Sequence, residues 1–185
     1  MLGIKTNAYQ LAWLIAEIPP NGPKVFRLSA CASVRSGGKL RCRAGLIAVG
    51  KIDAKSKTLM TWEPELPHAR PRRGHFDEHG VLWYAEYGSN AVGRFEPKTQ
   101  KITEWQMPVK WQMPYDALAN KKGEVYTGSV MSDRIVRLDP KTGETISYLM
   151  PASTNVRRVN FDDEHNALWI GSNHGNQILK VEPLD

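Results

Sequence analysis

Two pairs of adjacent arginines are the residues of this chain best suited to bind a charged ligand. They are Arg72-Arg73 and Arg157-Arg158, with Tyr115-Asp116 at the corresponding place in the sequence between them. A guanidinium group grips a carboxylate or a phosphate through two parallel hydrogen bonds. These six residues are therefore predicted to line a site for an anionic ligand. The alternative is that the arginines bond backbone carbonyls at strand ends, or pair with Asp77 and Asp162.

The histidines are the second group that could do chemistry, because imidazole exchanges a proton near neutral pH. His68, on a loop that enters a repeat, and His174, on a loop that follows a strand, are the candidate catalytic residues. An ordinary surface role is the alternative for both. His75 is expected to be packed or hydrogen-bonded within a strand, and His79 and His165 lie in turns.

The elements that must position these residues recur every 43 residues. One basic position follows this step through Lys51, Arg94, Arg137 and Lys180. Two aromatic columns keep the same step: Trp62, Trp105 and Tyr148 in one, and Trp83, Tyr126 and Trp169 in the other. A fixed period of this size marks a repeat architecture. The aromatic columns are expected to form a core between repeats rather than a sugar-binding surface.

Each copy contains short strands separated by turn signals. In the clearest copy the strands are predicted over 72–76, 81–86, 91–96 and 102–106. The run Val81-Leu82-Trp83-Tyr84 is apolar on both faces, which suits a sheet packed between neighbouring sheets. The predicted fold is all-β: a β-propeller of four-stranded antiparallel blades, with about four blades in an incomplete or minimal ring.

The copies also set the expected domain boundaries. Residues 1–45 form an atypical or degraded first-blade region, in which strands are expected near 28–34 and 39–43. The blades occupy 46–185, divided into the end of a blade at 46–66 and copies at 71–108, 114–151 and 156–185. The last copy is one strand short, and residues 13–18 could supply the missing strand. We expect the chain to be the C-terminal part of a larger ring.

Charge and cysteine content narrow the function classes. The net charge of +6 is unevenly placed: residues 1–75 hold 13 Lys or Arg against 4 Asp or Glu, whereas residues 76–185 hold 12 against 15. These cations form no helical stripe and accompany no RNA-binding aromatic motif, so neither a nucleic acid nor a membrane is expected as a partner. Cys31 and Cys42 lack the spacing of a zinc site or a redox pair, so they define no redox compartment. The sequence leaves localisation open: cytoplasmic as the chain stands, periplasmic for a longer form.

Two stretches of the clearest copy carry a recognisable motif. One runs from Leu82-Trp83-Tyr84-Ala85-Glu86 through Val92-Gly93-Arg94-Phe95-Glu96-Pro97-Lys98-Thr99, and the other is Ile102-Thr103-Glu104-Trp105-Gln106-Met107-Pro108. Both resemble blades of the streptogramin B lyase (virginiamycin B lyase-like) family. The family blade reads roughly L-W-F-x-E, a short turn, I-G-R-x-D-P-x-T and then T-E-Y-P-L-P. The resemblance covers residues 46–185.

The resemblance implies a Mg²⁺-dependent lyase that opens a cyclic depsipeptide ester by elimination. In the family, a histidine base and a carboxylate lie in a Glu-Pro-His stretch that opens a first strand, and another carboxylate ends a second strand. Glu86 matches the second of these positions and is the candidate metal ligand. Arg70-Pro71-Arg72 and Met113-Pro114-Tyr115 stand where Glu-Pro-His would be. The arginine pairs then line the equivalent mouth of the propeller.

Two functions follow as hypotheses. The first is a lyase of this type acting on a cyclic ester with Mg²⁺. The second is a non-catalytic propeller that binds an anionic ligand or a protein partner through the arginine pairs. An open arc of blades would also expose an apolar blade face and strand edges, so self-association is expected there.

Overall fold

The chain is all-β in the residues that its structure describes. A computed structural model describes the backbone of residues 9–11, 25–36, 39–52 and 59–183, and the side chains of residues 48–51 and 60–183. The strands are β1 (Tyr9–Leu11), β2 (Val25–Ser36), β3 (Lys39–Ile52), β4 (Leu59–Trp62), β5 (Pro71–Phe76), β6 (Leu82–Glu86), β7 (Ala91–Glu96), β8 (Lys101–Gln106), β9 (Pro114–Ala119), β10 (Val125–Ser129), β11 (Arg134–Leu138), β12 (Thr145–Leu149), β13 (Val156–Asp162), β14 (Ala167–Ser172) and β15 (Gln177–Val181). None of the described residues forms a helix that could cross a lipid bilayer.

The strands form four antiparallel sheets that follow one another along the chain. Sheet I contains β1 to β4, sheet II β5 to β8, sheet III β9 to β12 and sheet IV β13 to β15, each in sequential order. Sheets II to IV are built from tight hairpins, because turn residues such as Pro97-Lys98-Thr99 separate short strands of branched and aromatic residues. The predicted all-β fold with four-stranded antiparallel units is confirmed.

Sheet I differs from its prediction. We expected separate strands near 28–34 and 39–43, followed by a third strand beginning at Leu46. Instead, β2 and β3 form one long hairpin, with Ser36 opposite Lys39 and Val25 opposite Lys51. The segment between Arg43 and Leu46 contains no turn-forming dipeptide, so the strand continues through it. Residues 13–18 and the side chains of Cys31 and Cys42 lie outside the described residues.

The hydrophobic core lies between successive sheets. Trp83, Ala85 and Val92 of sheet II pack on Ala117 and Val125 of sheet III. On the other face of sheet III, a second group packs against sheet IV. Its members are Leu118, Tyr126, Ile135, Val159, Leu168 and Ile170. Full burial of a large apolar side chain stabilises the fold by about 1.5–3 kcal/mol, so these columns account for the stacking of the sheets. The expected inter-sheet role of Trp83 and Tyr126 is confirmed.

Sheet IV exposes the face that sheets II and III bury. Tyr126 and Ile135 of sheet III are 1% and 0% exposed, whereas Trp169 and Ile178, one period later, are 40% and 77% exposed. Sheet IV has three described strands, and β15 pairs with β14 alone. The outer face of sheet IV is therefore apolar and, within the described residues, uncovered.

Candidate functional site

The first strand of each of sheets II, III and IV contains a β-bulge near its start; these strands are β5, β9 and β13. Pro71 pairs with Glu86 and Gly74 with Tyr84, so two residues of β5 lie opposite one residue of β6. The same two-against-one arrangement recurs in β9 and in β13. The six bulge residues are Arg72-Arg73, Tyr115-Asp116 and Arg157-Arg158. They are the six residues predicted to bind an anionic ligand, and we call them the bulge cluster. A bulge re-aims side chains at the end of a strand and is frequent beside binding sites.

Tyr115 joins the arginines of the bulge cluster. The guanidinium carbons of Arg72, Arg73 and Arg157 lie 5.4, 5.7 and 5.9 Å from the centre of its ring. Arg72 also lies 5.0 Å from the ring centre of Tyr87, which meets Tyr115 edge to face at 6.2 Å. Cation–π contacts of this length hold the guanidinium groups beside one another. Sheets II, III and IV thus converge on one aromatic residue.

Asp116 of β9 contacts the first strands of the two neighbouring sheets, β5 and β13, through hydrogen bonds and an ion pair. Its carboxylate is 1% exposed. One oxygen lies 3.1 Å from His75 Nε2 of β5. The other accepts a hydrogen bond from the Val159 backbone N–H at 3.4 Å and lies 3.9 Å from Arg158 Nη1. A buried carboxylate needs such partners, because an unpaired charge in the interior is costly.

Asp77 and Asp162, the acids considered as alternative partners of the arginines, have other partners among the described residues. Asp77 accepts hydrogen bonds from the backbone of His79 and Val81 and from the indole of Trp83, while Asp162 pairs with His165 at 2.8 Å. The bulge cluster therefore holds four guanidinium groups and one carboxylate, that of Asp116, which lies near Arg158. The cluster carries a clear excess of positive charge whether or not His75 is protonated.

Arg72 and Arg157 occupy equivalent bulge positions but differ in their partners. Arg157 Nε donates to Asn155 Oδ1 at 2.7 Å. Arg72 Nε is buried and has no acceptor, and Arg70, not an asparagine, precedes it by two residues. An unpaired buried donor costs roughly 1–3 kcal/mol. A bound water or ligand would satisfy this donor.

Glu86, the candidate metal ligand, lies at the end of β6 with its carboxyl fully buried. Ser89 Oγ donates to one oxygen at 2.7 Å, and the other oxygen has no partner. Burial raises the pKa of Glu86 to about 8; the hydrogen bond from Ser89 opposes the rise, and the neighbouring Glu104 adds to it. At neutral pH the carboxyl is therefore mostly protonated.

A magnesium ion does not fit this arrangement. Mg²⁺ prefers several oxygen ligands in octahedral geometry, whereas Glu86 is a fully buried carboxyl with one oxygen bonded to Ser89 Oγ. In the part of the chain whose side chains are described, no three His, Cys, Asp or Glu residues are grouped so as to hold a metal ion. Ser129 and Ser172 occupy the equivalent strand ends of sheets III and IV. We derive no reaction step through a metal at Glu86.

The two candidate catalytic histidines lie on exposed loops. His68 precedes β5 in a left-handed backbone conformation with φ of 58°, and His174 lies in the turn between β14 and β15. Among the described residues, neither imidazole has a hydrogen-bond or ionic partner. The histidine in contact with the bulge cluster is His75, whose role the sequence suggested only as packing or bonding. Its only sequence signal was its place in a first strand, five residues before the turn at Gly80.

The chain is similar to several solved β-propeller structures. One is catalytically inactive virginiamycin B lyase from Staphylococcus aureus with quinupristin: 14% of residues are identical, the match covers 96% of this chain and 75% of that chain, and the TM-score is 0.62. A streptogramin B lyase structure matches with 12% identity, 96% and 74% coverage and a TM-score of 0.59. A luciferin-regenerating enzyme matches with 15% identity, 95% and 62% coverage and a TM-score of 0.59.

These likenesses and the four successive sheets define the class of the protein: it is all-β, with the architecture of a β-propeller. At such low identities the likeness concerns the fold alone. No protein-family model and no curated protein matches the sequence.

Proposed function

We propose that the bulge cluster binds an anionic small molecule through a carboxylate or phosphate group. The observation that carries the proposal is that three successive bulges bring Arg72, Arg73 and Arg157 around the Tyr115 ring and Arg158 beside Asp116. The bulge residues are an arginine pair in sheets II and IV and Tyr115-Asp116 in sheet III, although the backbone geometry of the three bulges is the same. Uniform scaffold with varied residues at one end is how repeat folds carry sites.

The electrostatics support the same proposal. Exposed arginines on a protein surface repel one another and gain little from being grouped. Here Tyr115 contacts Arg72, Arg73 and Arg157, and the Asp116 carboxylate lies near Arg158. An anion placed among them would relieve this repulsion and accept charge-assisted hydrogen bonds, including a fork of two from a single guanidinium.

Binding of phosphate and of citrate tests the proposal and separates the two ligand chemistries. We expect Arg72→Ala and Arg157→Ala each to weaken binding by about 10–100-fold in isothermal calorimetry, because a hydrogen bond to a charged group contributes roughly 1.5–3 kcal/mol. Arg72→Lys keeps the positive charge but cannot donate two parallel hydrogen bonds to the anion, so this variant should also bind weakly. Arg134→Ala, in the third strand of sheet III, is the matched control. Equal affinity in all variants, or no binding of either anion to the wild type, would refute the proposal.

We infer a second candidate function, the elimination reaction of a streptogramin B lyase, from the likeness to virginiamycin B lyase structures. In that reaction a base removes the proton α to a carbonyl, the ester C–O bond breaks, and the products are an alkene and a free carboxylate. His68 and His174 are the candidate bases. Their exposed loops leave both imidazoles accessible to a large cyclic substrate.

Incubation with quinupristin tests this second function. Elimination gives a linear product of unchanged mass and altered chromatographic retention, whereas hydrolysis adds one water. We expect His68→Ala or His174→Ala to abolish the product and His165→Ala, in another turn, to leave it unchanged. The assay is run with and without EDTA. Intact quinupristin after prolonged incubation with the wild type would refute the lyase function and leave the anion-binding proposal standing.

A further inference from the structure

Asp116 has a close side-chain partner, His75, and a more distant one, Arg158. Its contact with His75 Nε2 is 3.1 Å long, within hydrogen-bond distance, whereas its contact with Arg158 Nη1 is 3.9 Å long. The Arg158 side chain is 52% exposed, and that of Asp116 is 1% exposed. Arg158 is therefore free to turn toward an anion in solvent, and Asp116 is not free to follow it.

An anion at the bulge cluster would compete with Asp116 for Arg158. If Arg158 turns to the anion, the buried carboxylate keeps the Val159 backbone N–H and His75 as its partners. A carboxylate that has lost a cationic neighbour favours the charged form of the imidazole beside it. The negative charge of the ligand acts in the same direction.

We propose that anion binding at the bulge cluster is coupled to the uptake of a proton by His75, with Asp116 as the positioning residue that links the two events. This inference rests on the proposed anion site. The charged and titratable groups on the elements around His75 are Arg73 on its own strand, Asp77 directly after that strand, Asp116 and Tyr115 on β9, and Arg158 on β13. Its cross-strand neighbour on β6, Trp83, does not titrate and donates its indole N–H to Asp77. Asp116 is the acid in contact with both His75 and Arg158, so it transmits the effect.

The coupling determines whether the affinity of the bulge cluster for an anion rises or falls with pH. Because binding favours protonated His75, protonation of His75 must favour binding to the same extent. The affinity for an anion is then highest at acidic pH and falls as the pH rises through the range in which imidazole titrates. At the far ends of the range, where His75 has one protonation state in both forms, affinity is independent of pH.

Sulfate is the appropriate probe, since its charge does not change between about pH 5.5 and pH 8, the range around the ordinary histidine titration. We expect calorimetry in buffers of different ionisation enthalpy to show fractional proton uptake per sulfate bound, greatest near neutral pH. The wild-type affinity should fall by about tenfold across the range, within the usual size of coupling between two sites. His75→Gln, which keeps an N–H donor for Asp116, should bind sulfate without proton uptake and with constant affinity.

The control is His79→Gln, on an exposed turn beside Glu78 and outside the cluster; it should behave as the wild type. An NMR titration of the His75 ring protons with and without sulfate gives the same answer without any substitution. Sulfate binding without proton uptake, or with an unshifted His75 titration, overturns this inference alone. Absence of sulfate binding by the wild type at every pH overturns the anion site, and the inference with it.

Discussion

The buried acid of Glu86 makes the stability of this protein depend on pH in a direction opposite to that of an ordinary ion-paired carboxylate. Burial raises the pKa of Glu86 from 4.5 to about 8. The folded state therefore binds a proton that the unfolded state has released at neutral pH. The contribution of Glu86 to stability is fully present below about pH 4.5 and is lost as the pH rises through about 8.

The size of the loss in unfolding free energy follows from the shift in the pKa of Glu86. Each pH unit between the two pKa values lowers the free energy of unfolding by about 1.4 kcal/mol. At pH 7 the accumulated loss is therefore about 3 kcal/mol. Glu86→Gln resembles the protonated acid in shape, can accept the hydrogen bond from Ser89 Oγ, and does not titrate. We expect this variant to match the wild type near pH 4.5 and to be more stable by about 3 kcal/mol at pH 7.

Urea unfolding of both proteins at several pH values, followed by circular dichroism, measures the difference directly. Carboxylates that do not interact with Glu86 titrate equally in the two proteins, so the difference between their unfolding free energies reports Glu86 together with its neighbour Glu104. Glu144→Gln, an exposed glutamate after β11, is the control and should give no pH-dependent difference. A constant difference between Glu86→Gln and the wild type from pH 4.5 to pH 8 would show that Glu86 is ionised in the folded protein and would refute this reasoning.

Equivalent positions of successive sheets give two further predictions, both measured by urea unfolding. Ile135→Ala should lower the free energy of unfolding by about 2–5 kcal/mol because it leaves a cavity. Ile178→Ala should change the free energy of unfolding by less than about 0.5 kcal/mol, as substitutions of exposed residues do. Similar losses at both sites would show that the sheet face carrying Ile178 is covered. Self-association through that face would make the loss at Ile178 depend on protein concentration. Gly128→Ala should lower the free energy of unfolding by about 1–3 kcal/mol because the new methyl group overlaps Val156 Cγ1. Gly171→Ala should leave the free energy of unfolding unchanged, because its new methyl group meets open space. Equal effects of the two substitutions would contradict the packing of sheet IV on sheet III.

The 43-residue period was enough to predict sheets II, III and IV but not their bulges. Counting by 43 from Tyr115 leads to Arg158, whereas the hydrogen-bond register places Arg157 at the equivalent first position of its bulge. The spacing between β9 and β13 is one residue shorter than the repeat. A bulge is a choice between nearly equivalent hydrogen-bond registers, and no residue type in these strands dictates it. The sequence therefore identified the six cluster residues without their pairing.

The contacts of His75 and the protonation of Glu86 were beyond sequence reasoning for a different reason. His75 meets Asp116 only because sheet III packs on sheet II at one particular offset. Glu86 is neutral because the faces around it exclude water, and the same residue on an exposed strand end would be ionised. Both properties belong to the packing between copies, which a period in the sequence does not express. The long β3 strand of sheet I shows the same limit, since strand continuity there depends on pairing with β2.

The differences between copies, rather than their shared pattern, carry the candidate function. At one structural position the three bulges hold Arg72-Arg73, Tyr115-Asp116 and Arg157-Arg158, and the paired strand ends hold Glu86, Ser129 and Ser172. A residue required by the fold would recur at each copy, as the aromatic columns do. The bulges hold an arginine pair in two sheets and Tyr115-Asp116 in the third, and these residues contact one another across three sheets through Tyr115 and Asp116. Packing of the sheets explains the columns; it gives no reason for three arginines around one tyrosine and a fourth beside Asp116, whereas the proposed anionic ligand does.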